Sequence, residues 1–440
     1  YNAQPAKGGV FDTGTAITVT GTPVDYDIGA DAATAGWEVA HLLHAEGFAE
    51  NANNGLKEVT GVTGNTIEVA GLVAEATPPA DAIIRAVGIQ FGSGELDVVK
   101  TGGQYPQITR IAGTLNFTDF NIVPGSRIFI PKTGTAANRF VNAENNGWMR
   151  VLSVTATTLT LDRVDGGSDG TTDMVNETGT GLSIRIFLSD RIVDTSSEDD
   201  ADFNKITHFI ERRLGVPNPA GSPGVIQTED IEGALVADAV FSVTERSKAI
   251  AAFTLVAIGS DEHTGEGGDL RTTDGATILQ LAASKFFNNS RHLVRSLLAL
   301  YPDASLGDAA PDPLIGFVSD YEIAISNNAE VQTAVGRAAG FDVNANGLIA
   351  DISINSYFTE VATRKSIRAN DRAQLEFAWQ RAFGGRQVAA MMDFPAASLG
   401  NGQVQAVIDQ SLRQPITFEA AESDEHDQTM SFNMFWYIQT

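Results

Sequence analysis

One passage of this sequence is repeated in diverged form at an offset of 92 residues. The stretch NNGLKEVTGVTGNTIEVAG begins at Asn53, and NNGWMRVLSVTATTLTLDR begins at Asn145. The similarity extends upstream without a gap, since Phe48 aligns with Phe140. Each copy has two runs of alternating apolar and polar residues around a short turn, which is the pattern of a β-hairpin. A fold for this chain must therefore accommodate the same hairpin twice.

The Asn-Asn-Gly before each hairpin is a turn signal, because Asn and Gly tolerate positive φ angles. We expect two small β modules, over residues 1–95 and 96–185, and a larger domain over residues 186–440. A loop rich in Gly, Asp and Thr (165–181) and an acidic run (194–202) mark the second boundary.

Residues 186–440 are also predicted to be mainly β, because Leu375, Phe377 and Trp379 alternate with their neighbours, as do residues of the closing MSFNMFWYI. The best helix candidate is GATILQLAASKFF (275–287) followed by SRHLVRSLLAL (290–300), with a strand as the competing interpretation of the second part. The stretches ALVADAVFS (234–242) and GLIADISIN (347–355) are similar, which leaves open an internal duplication of about 200–260 and 315–440.

Composition limits the function classes. A formal charge of −26 opposes adhesion to nucleic acid or to an anionic membrane, since both need clustered Lys and Arg. The absence of Cys excludes disulfides, thiol nucleophiles and Cys-ligated metals. No run of 18 uncharged apolar residues is present, and the first residues lack the pattern of a signal peptide, so we expect a chain outside the membrane.

Two short motifs resemble functional sites. GGSDG (166–170) fits the nucleophile elbow of hydrolases, but its flanks are polar loop rather than strand and helix. DVNANG (342–347) resembles the start of a calcium loop, yet the twelfth position is Ser353 instead of Glu. We interpret the first as a loop and the second as an Asn-rich turn between strands.

Other candidates are equally incomplete. His41 and His44 lack a third ligand at metal-site spacing, and the remaining histidines are scattered. The acidic runs 198–202 and 422–427 are typical of solvated loops. The sequence therefore predicts no catalytic, cofactor-binding or metal-binding residues, and it favours a structural or interaction protein over an enzyme.

Three segments resemble the tail tube (major tail) proteins of long-tailed bacteriophages with non-contractile tails. They are the repeated hairpin, the segment 318–358 with its strand, Asn-Asn, Gly turn and second strand, and the closing PITFEAAESDEHDQTMSFNMFWYI. Together they cover about half of the chain. The resemblance implies a mainly β fold, a tail-tube-type β-sandwich or barrel with a flanking helix, here preceded by two small repeated β modules.

The same resemblance implies a virion protein that is assembled in the host cytoplasm and forms stacked rings around a channel for the genome. Its implied partners are further copies of itself, as a hexamer in preference to a trimer, the tape-measure protein, and the tail terminator and tip proteins. Genomic DNA would pass through the lumen without specific binding, because a negative wall repels phosphates. The acidic runs are candidates for that wall, with exposed outer loops as the equal alternative.

Two other classes remain open. The chain could be a different serial β-domain protein, such as a surface-layer protein, an adhesin or another phage tail component. A tail-associated depolymerase would require a carboxylate pair in an aromatic-lined cleft, and no Trp in the sequence has a local carboxylate partner that singles it out.

Overall fold

A computed structural model gives the fold. It describes residues 2–4, 10–12, 17–79, 82–165, 172–194, 207–215, 226–244, 247–265, 292–300, 309–310, 318–336, 339–345, 347–357, 362–369, 371–383, 386–400 and 412–439. The described chain is mainly β, with large antiparallel sheets and one α-helix, which confirms the fold class predicted from the sequence.

The first sixteen strands build the N-terminal part of the chain. They are β1 (Asn2–Gln4), β2 (Val10–Asp12), β3 (Thr18–Thr20), β4 (Asp25–Asp27), β5 (His41–Glu46), β6 (Gly55–Thr63), β7 (Thr66–Val69), β8 (Ile83–Gln90), β9 (Leu96–Val99), β10 (Gln107–Arg110), β11 (Arg127–Ile130), β12 (Gly147–Val154), β13 (Thr158–Val164), β14 (Glu177–Thr178), β15 (Arg185–Leu188) and β16 (Asp190–Val193). Short 3-10 turns lie at Asn51–Asn53, Phe117–Phe120, Ala136–Asn138 and Ala143–Asn145.

Strand order in the N-terminal sheet is palindromic. From its centre the sheet runs β8-β5-β6-β7-β4-β3 in one direction and β15-β11-β12-β13-β10-β9 in the other, with β14 beyond β9 and β2 beside β8. The two central strands pair antiparallel, with Phe187 opposite Gly88. We call residues 17–91 module 1 and residues 96–188 module 2. Each is a copy of the other across a local two-fold relation.

The Asn-Asn-Gly motif has the same structural task in both modules. In module 2 the Asn145 side chain donates to the carbonyl oxygen of Val175 (3.0 Å) and to Glu177 Oε2 (2.7 Å), and it accepts the Val175 N–H (3.0 Å). In module 1 Asn53 makes the three equivalent bonds at 2.9 Å each. The motif ties the turn before the hairpin to the segment that follows the hairpin, so it is a folding element rather than a ligand site.

Backbone strain differs between the modules at one equivalent position. Gly125 has φ +77° and donates its N–H to the carbonyl of Val151, at the turn before β11. Module 1 has Ala40 there, with φ +72° and the equivalent bond to Val59. Because a left-handed conformation is unfavourable for Ala, module 1 carries local strain that module 2 avoids.

The remaining elements form the C-terminal part. They are β17 (His208–Gly215), β18 (Ile226–Thr244), β19 (Ile250–Val256), β20 (Gly259–Gly265), β21 (Leu293–Leu300), β22 (Val318–Ser326), β23 (Glu330–Gln332), β24 (Asp342–Asn344), β25 (Ile349–Tyr357), α1 (Ala362–Ala369), β26 (Arg372–Phe383), β27 (Arg386–Leu399), β28 (Arg413–Ala420) and β29 (Ser431–Ile438).

These strands make a β-sandwich from one sheet that folds over itself. Pairing runs β19-β18-β22-β25-β28-β27-β26-β21. Strands β17 and β20 also pair with β18. On the other side, β29 pairs with β27, and β16 and then β1 continue the sheet beyond β29. Although β22 and β26 are not neighbours in the sheet, Tyr321 stacks on Phe377 with ring centroids 4.4 Å apart. That contact places the core between the two layers, and Ile367 of α1 packs against the same core. We call this unit the C-terminal sandwich.

Strand β26 is buried on both faces. Leu375, Phe377 and Trp379 fill the sandwich core as their alternation predicts, but Glu376 and Ala378 between them are buried as well. The modules cover this second face, where Ala378 belongs to an apolar cluster that includes side chains of both modules. Alternation identified the core residues and could not show that the other face is covered.

The helix prediction at 290–300 is wrong, because residues 293–300 form strand β21, the competing interpretation. Its backbone pairs with β26, and Leu297, Leu298 and Ala299 are buried. Tertiary pairing overrides local helix propensity here. The preceding segment 275–287 lies outside the described residues. The two similar stretches at 234–242 and 347–355 lie in one sheet, since β18 and β25 both pair with β22.

Candidate functional site

A row of three buried arginines crosses module 2. Arg127 on β11 lies opposite Arg150 on β12, and Arg150 lies opposite Arg163 on β13. None is more than 1 % exposed. Cross-strand partners share one face of a sheet, and the other face of β12 fills the module core with Met149 and Val151. The arginine row therefore faces the C-terminal sandwich.

The sandwich supplies the counter-charges. Arg127 Nη2 lies 2.5 Å from Asp393 and 2.8 Å from Glu376, and Arg150 Nη1 lies 3.2 Å from Asp393. Arg150 Nη2 also donates to Gln374 at 2.9 Å. Burial opposes the charge of Arg127, but Asp393 and Glu376 outweigh it and raise its pKa. These pairs fasten module 2 to β26 and β27.

A second group joins the row to the acidic loop before β29. Arg150 donates hydrogen bonds to Asp162 from Nη2 (2.7 Å) and Nε (3.0 Å), and His426 Nε2 lies 2.9 Å from the same carboxylate. Burial opposes the Asp162 charge, yet Arg150 and His426 hold the pKa of Asp162 well below its usual range. Glu425 completes a set whose ligand atoms all lie within 4.8 Å of one another. Because the Arg150 guanidinium occupies this carboxylate, the set fits an ion-pair network better than a metal ion.

Sequence reasoning missed this network. Module 1 has Leu42 and Glu58 at the positions of Arg127 and Arg150, and these two residues are paired in the same register. The difference between the two copies was the available signal. Glu58 of the first copy is replaced by Arg150 in the second, although the Asn-Asn-Gly motif is the same in both. The partners of Arg150 on the sandwich, Asp393 and Gln374, are more than 200 residues away along the chain, so no local pattern identified them.

The histidines considered as metal ligands take separate structural roles. His41 is buried in module 1, where its Nδ1 accepts the Glu38 N–H at 3.0 Å. His44 packs against Tyr437 in a tilted arrangement, with ring centroids 4.8 Å apart. Burial, together with the nearby cations Arg386 and Arg85, lowers the pKa of His44 to about 4. These two rings make packing contacts with different elements.

The short motifs and tryptophans are placed as follows. GGSDG (166–170) and the acidic run 198–202 lie outside the described residues. Asp342, Val343 and Asn344 form strand β24, which pairs with β23, so the first half of the segment predicted as a turn is a strand; Asn346 lies outside the described residues. Trp37, Trp148 and Trp379 are buried, and Trp436 lies beneath Arg85, whose guanidinium carbon is 3.7 Å from its ring centroid. The acidic loop 422–427 is described, and it packs on module 2 through His426.

Five described strands of the sandwich sheet have a single neighbour, namely β1, β17, β19, β20 and β21, and β19 and β21 among them expose large apolar side chains. Within the described chain, β19 pairs with β18 alone and β21 pairs with β26 alone. Both strands expose large apolar side chains: Ile250 58 %, Phe253 55 %, Leu255 41 % and Val294 50 %. An open apolar edge is a template for pairing with another chain, and soluble proteins ordinarily protect it.

The outer face of the sheet next to β19 is acidic. Register places its charged side chains on β18, β22, β25 and β28, and they are Asp238, Asp320, Glu322, Asp351, Glu419 and the single cation Arg413. The core residues of the same strands point the other way. Five acids against one base give the described part of this face a negative potential.

No protein-family model matches the chain, and no curated protein matches it. In the part of the chain that the structure describes, no helix has the length and apolar character needed to cross a membrane. Function must therefore be argued from the fold, the open edges and the charge distribution.

Proposed function

We propose that this chain is a tail tube subunit of a long-tailed, non-contractile bacteriophage, which self-assembles into stacked rings around a channel for the genome. The observation that carries the proposal is the C-terminal sandwich: a sheet with an acidic outer face whose described terminal strands include two different ones with exposed apolar side chains, β19 and β21. This combination suits a subunit that continues its sheet into neighbouring copies. The sequence resemblance to tail tube proteins supports the same function.

The edges support ring formation because they differ from each other. A contact between two different surfaces is heterologous, and it generates a ring when the rotation closes. Pairing at β19 would place a neighbouring strand beside Ile250 and Phe253, which are both more than half exposed in the described chain. Six copies per ring is our first expectation and three is the alternative.

The acidic face supports conduction of DNA. If it lines the channel, its carboxylates repel the phosphates, and the wall offers no cation cluster for adhesion. The net charge of −26 per copy acts in the same direction. The tape-measure protein and the terminator and tip proteins are the further partners that this function implies, and the virion tail is the implied location.

A pair of matched variants tests the proposal. Ile250 on β19 and Ile111 on module 2 are both 58 % exposed. We expect negative-stain electron microscopy of the concentrated protein to show stacked rings with a central channel. The Ile250→Lys variant should lose the rings, because a charge at the pairing edge blocks strand addition, and Ile111→Lys should retain them.

Three outcomes would contradict this function. The first is sheets or rods without a channel, which would favour a surface-layer protein or an adhesin. The second is an unmodified protein that stays monomeric at every protein and salt concentration tested. The third is equal assembly of the two Lys variants. Rotational averaging of the rings would decide between six and three copies.

A further inference from the structure

Among the described residues, the arginine row has more buried guanidinium groups than buried carboxylates. Four guanidinium groups meet at the boundary between module 2 and the sandwich, from Arg127, Arg150, Arg163 and Arg295. Three buried carboxylates of the described residues face them, from Asp162, Glu376 and Asp393, one fewer than the guanidinium groups, while Glu425 beside Asp162 is exposed to solvent. Asp165 also contacts Arg295, but Lys132 shares it, so including this pair leaves the excess unchanged.

The excess lies at Arg163. Its one hydrogen bond runs from Nη1 to the carbonyl oxygen of Ala309 at 3.2 Å, and no described carboxylate forms an ion pair with it. Its Nε and Nη2 are buried and have no partner among the described residues. Arg127 likewise leaves Nε and Nη1 without a partner, and Gln374 leaves Nε2. Glu376 Oε1 and Oε2 also lack a hydrogen-bond partner within the described chain, so these five buried donors outnumber the two buried acceptors at the interface.

Electrostatics agree with the geometry. Burial, together with the neighbouring Arg295, lowers the pKa of Arg163 to about 9. A guanidinium with that pKa stays protonated near neutral pH, so its charge must be compensated within the interface. Burying a charge without a counter-ion costs far more than burying one that is paired.

We propose that the Arg163 end of the arginine row binds a small inorganic anion of the halide class, enclosed between module 2 and the C-terminal sandwich. An anion satisfies both deficits at once, because it accepts hydrogen bonds from the free donors and cancels the unpaired charge. Water could accept the bonds but could not cancel the charge. The full burial of Arg163 favours a monatomic ion over a bulky one.

The first test is crystallographic. Crystals of the full chain grown without halide are soaked in sodium bromide, and diffraction is measured at the bromine absorption edge. We expect an anomalous peak within hydrogen-bonding distance of Arg163 Nε or Nη2. Ordered water at that position, or a carboxylate of the chain itself, would overturn the proposal.

The second test is a set of thermal melts in which chloride replaces gluconate at constant ionic strength. The unmodified protein should gain about 1–2 °C when chloride is tenfold above its dissociation constant. Arg163→Met should show no such gain. Arg212→Met is the matched control, since the Arg212 side chain is 66 % exposed and pairs with Glu229 on the surface. Equal chloride dependence in the three proteins would contradict the site. If Arg163→Met does not fold, the bromide map decides.

Discussion

The two copies of the Asn-Asn-Gly motif allow one prediction with a built-in control. In module 2, Asn146 Oδ1 accepts the Phe140 N–H at 3.0 Å, and Nδ2 donates to the carbonyls of Phe140 (2.9 Å) and Asn142 (2.7 Å). Asn146 is fully buried. In module 1, Asn54 makes the same set of bonds, with the Phe48 N–H at 3.0 Å, but its site is partly open to solvent.

Truncation to Ala removes the same side-chain groups in both modules. A buried donor or acceptor left unsatisfied costs about 1–3 kcal/mol, and Asn146→Ala leaves the Phe140 N–H and its carbonyl unpaired. We expect Asn146→Ala to lower the free energy of unfolding by about 2–4 kcal/mol. Asn54→Ala should cost about 1–2 kcal/mol, because water can reach part of the site and replace the lost bonds.

Two measurements check this difference. Equilibrium urea unfolding gives the loss of stability, and hydrogen-exchange mass spectrometry of peptides covering 48–54 and 140–146 assigns it to a module. The local measurement is needed because a chain with several cores need not unfold in one step. Equal losses in the two variants, or a larger loss for Asn54→Ala, would refute the argument that burial sets the magnitude.

Three further predictions concern the backbone and the buried charges. Ala40→Gly should stabilise module 1 by about 0.5–1 kcal/mol by relieving the left-handed strain, measured by urea unfolding. Gly88→Ala should destabilise the protein by about 2 kcal/mol or more in the same assay, because the added Cβ would lie 2.4 Å from a carbonyl oxygen of β15. Gly102→Ala is the control and should leave the stability unchanged, because no described atom beyond its chain neighbours lies within 4 Å of a Cβ added there. Arg150→Met should cost about 3–5 kcal/mol at pH 7, because it leaves buried carboxylates without their cation. The pKa of Asp162 is lowered in the folded protein, so its stabilisation is present above the unfolded pKa of about 4 and is lost below it. The stability gap between the unmodified protein and Arg150→Met should therefore shrink as the pH falls through about 4, and thermal melts across pH 3–7 should show a constant gap if this reasoning is wrong.

Local patterns predicted the strands and their core residues correctly where one face of a strand is buried, because apolar side chains then alternate along it. The repeated hairpin lies at β6–β7 and at β12–β13, and the alternation of Leu375 and Phe377 points both side chains into the sandwich core. The prediction failed for residues 293–300, whose i, i+1, i+4, i+5 spacing suited a helix, because pairing with β26 decided the conformation.

The sequence by itself determined the mainly β class, the repeat and the turn chemistry of its Asn-Asn-Gly motif, because these depend on neighbouring residues and their φ preferences. Only the tertiary structure decided that the copies share one palindromic sheet and that Arg127, Arg150 and Arg163 form a buried row against Asp393 and Glu376. Such contacts join strands hundreds of residues apart, and their register is set by the packing of whole sheets. A charged residue looks the same in a local pattern whether water or another domain covers it.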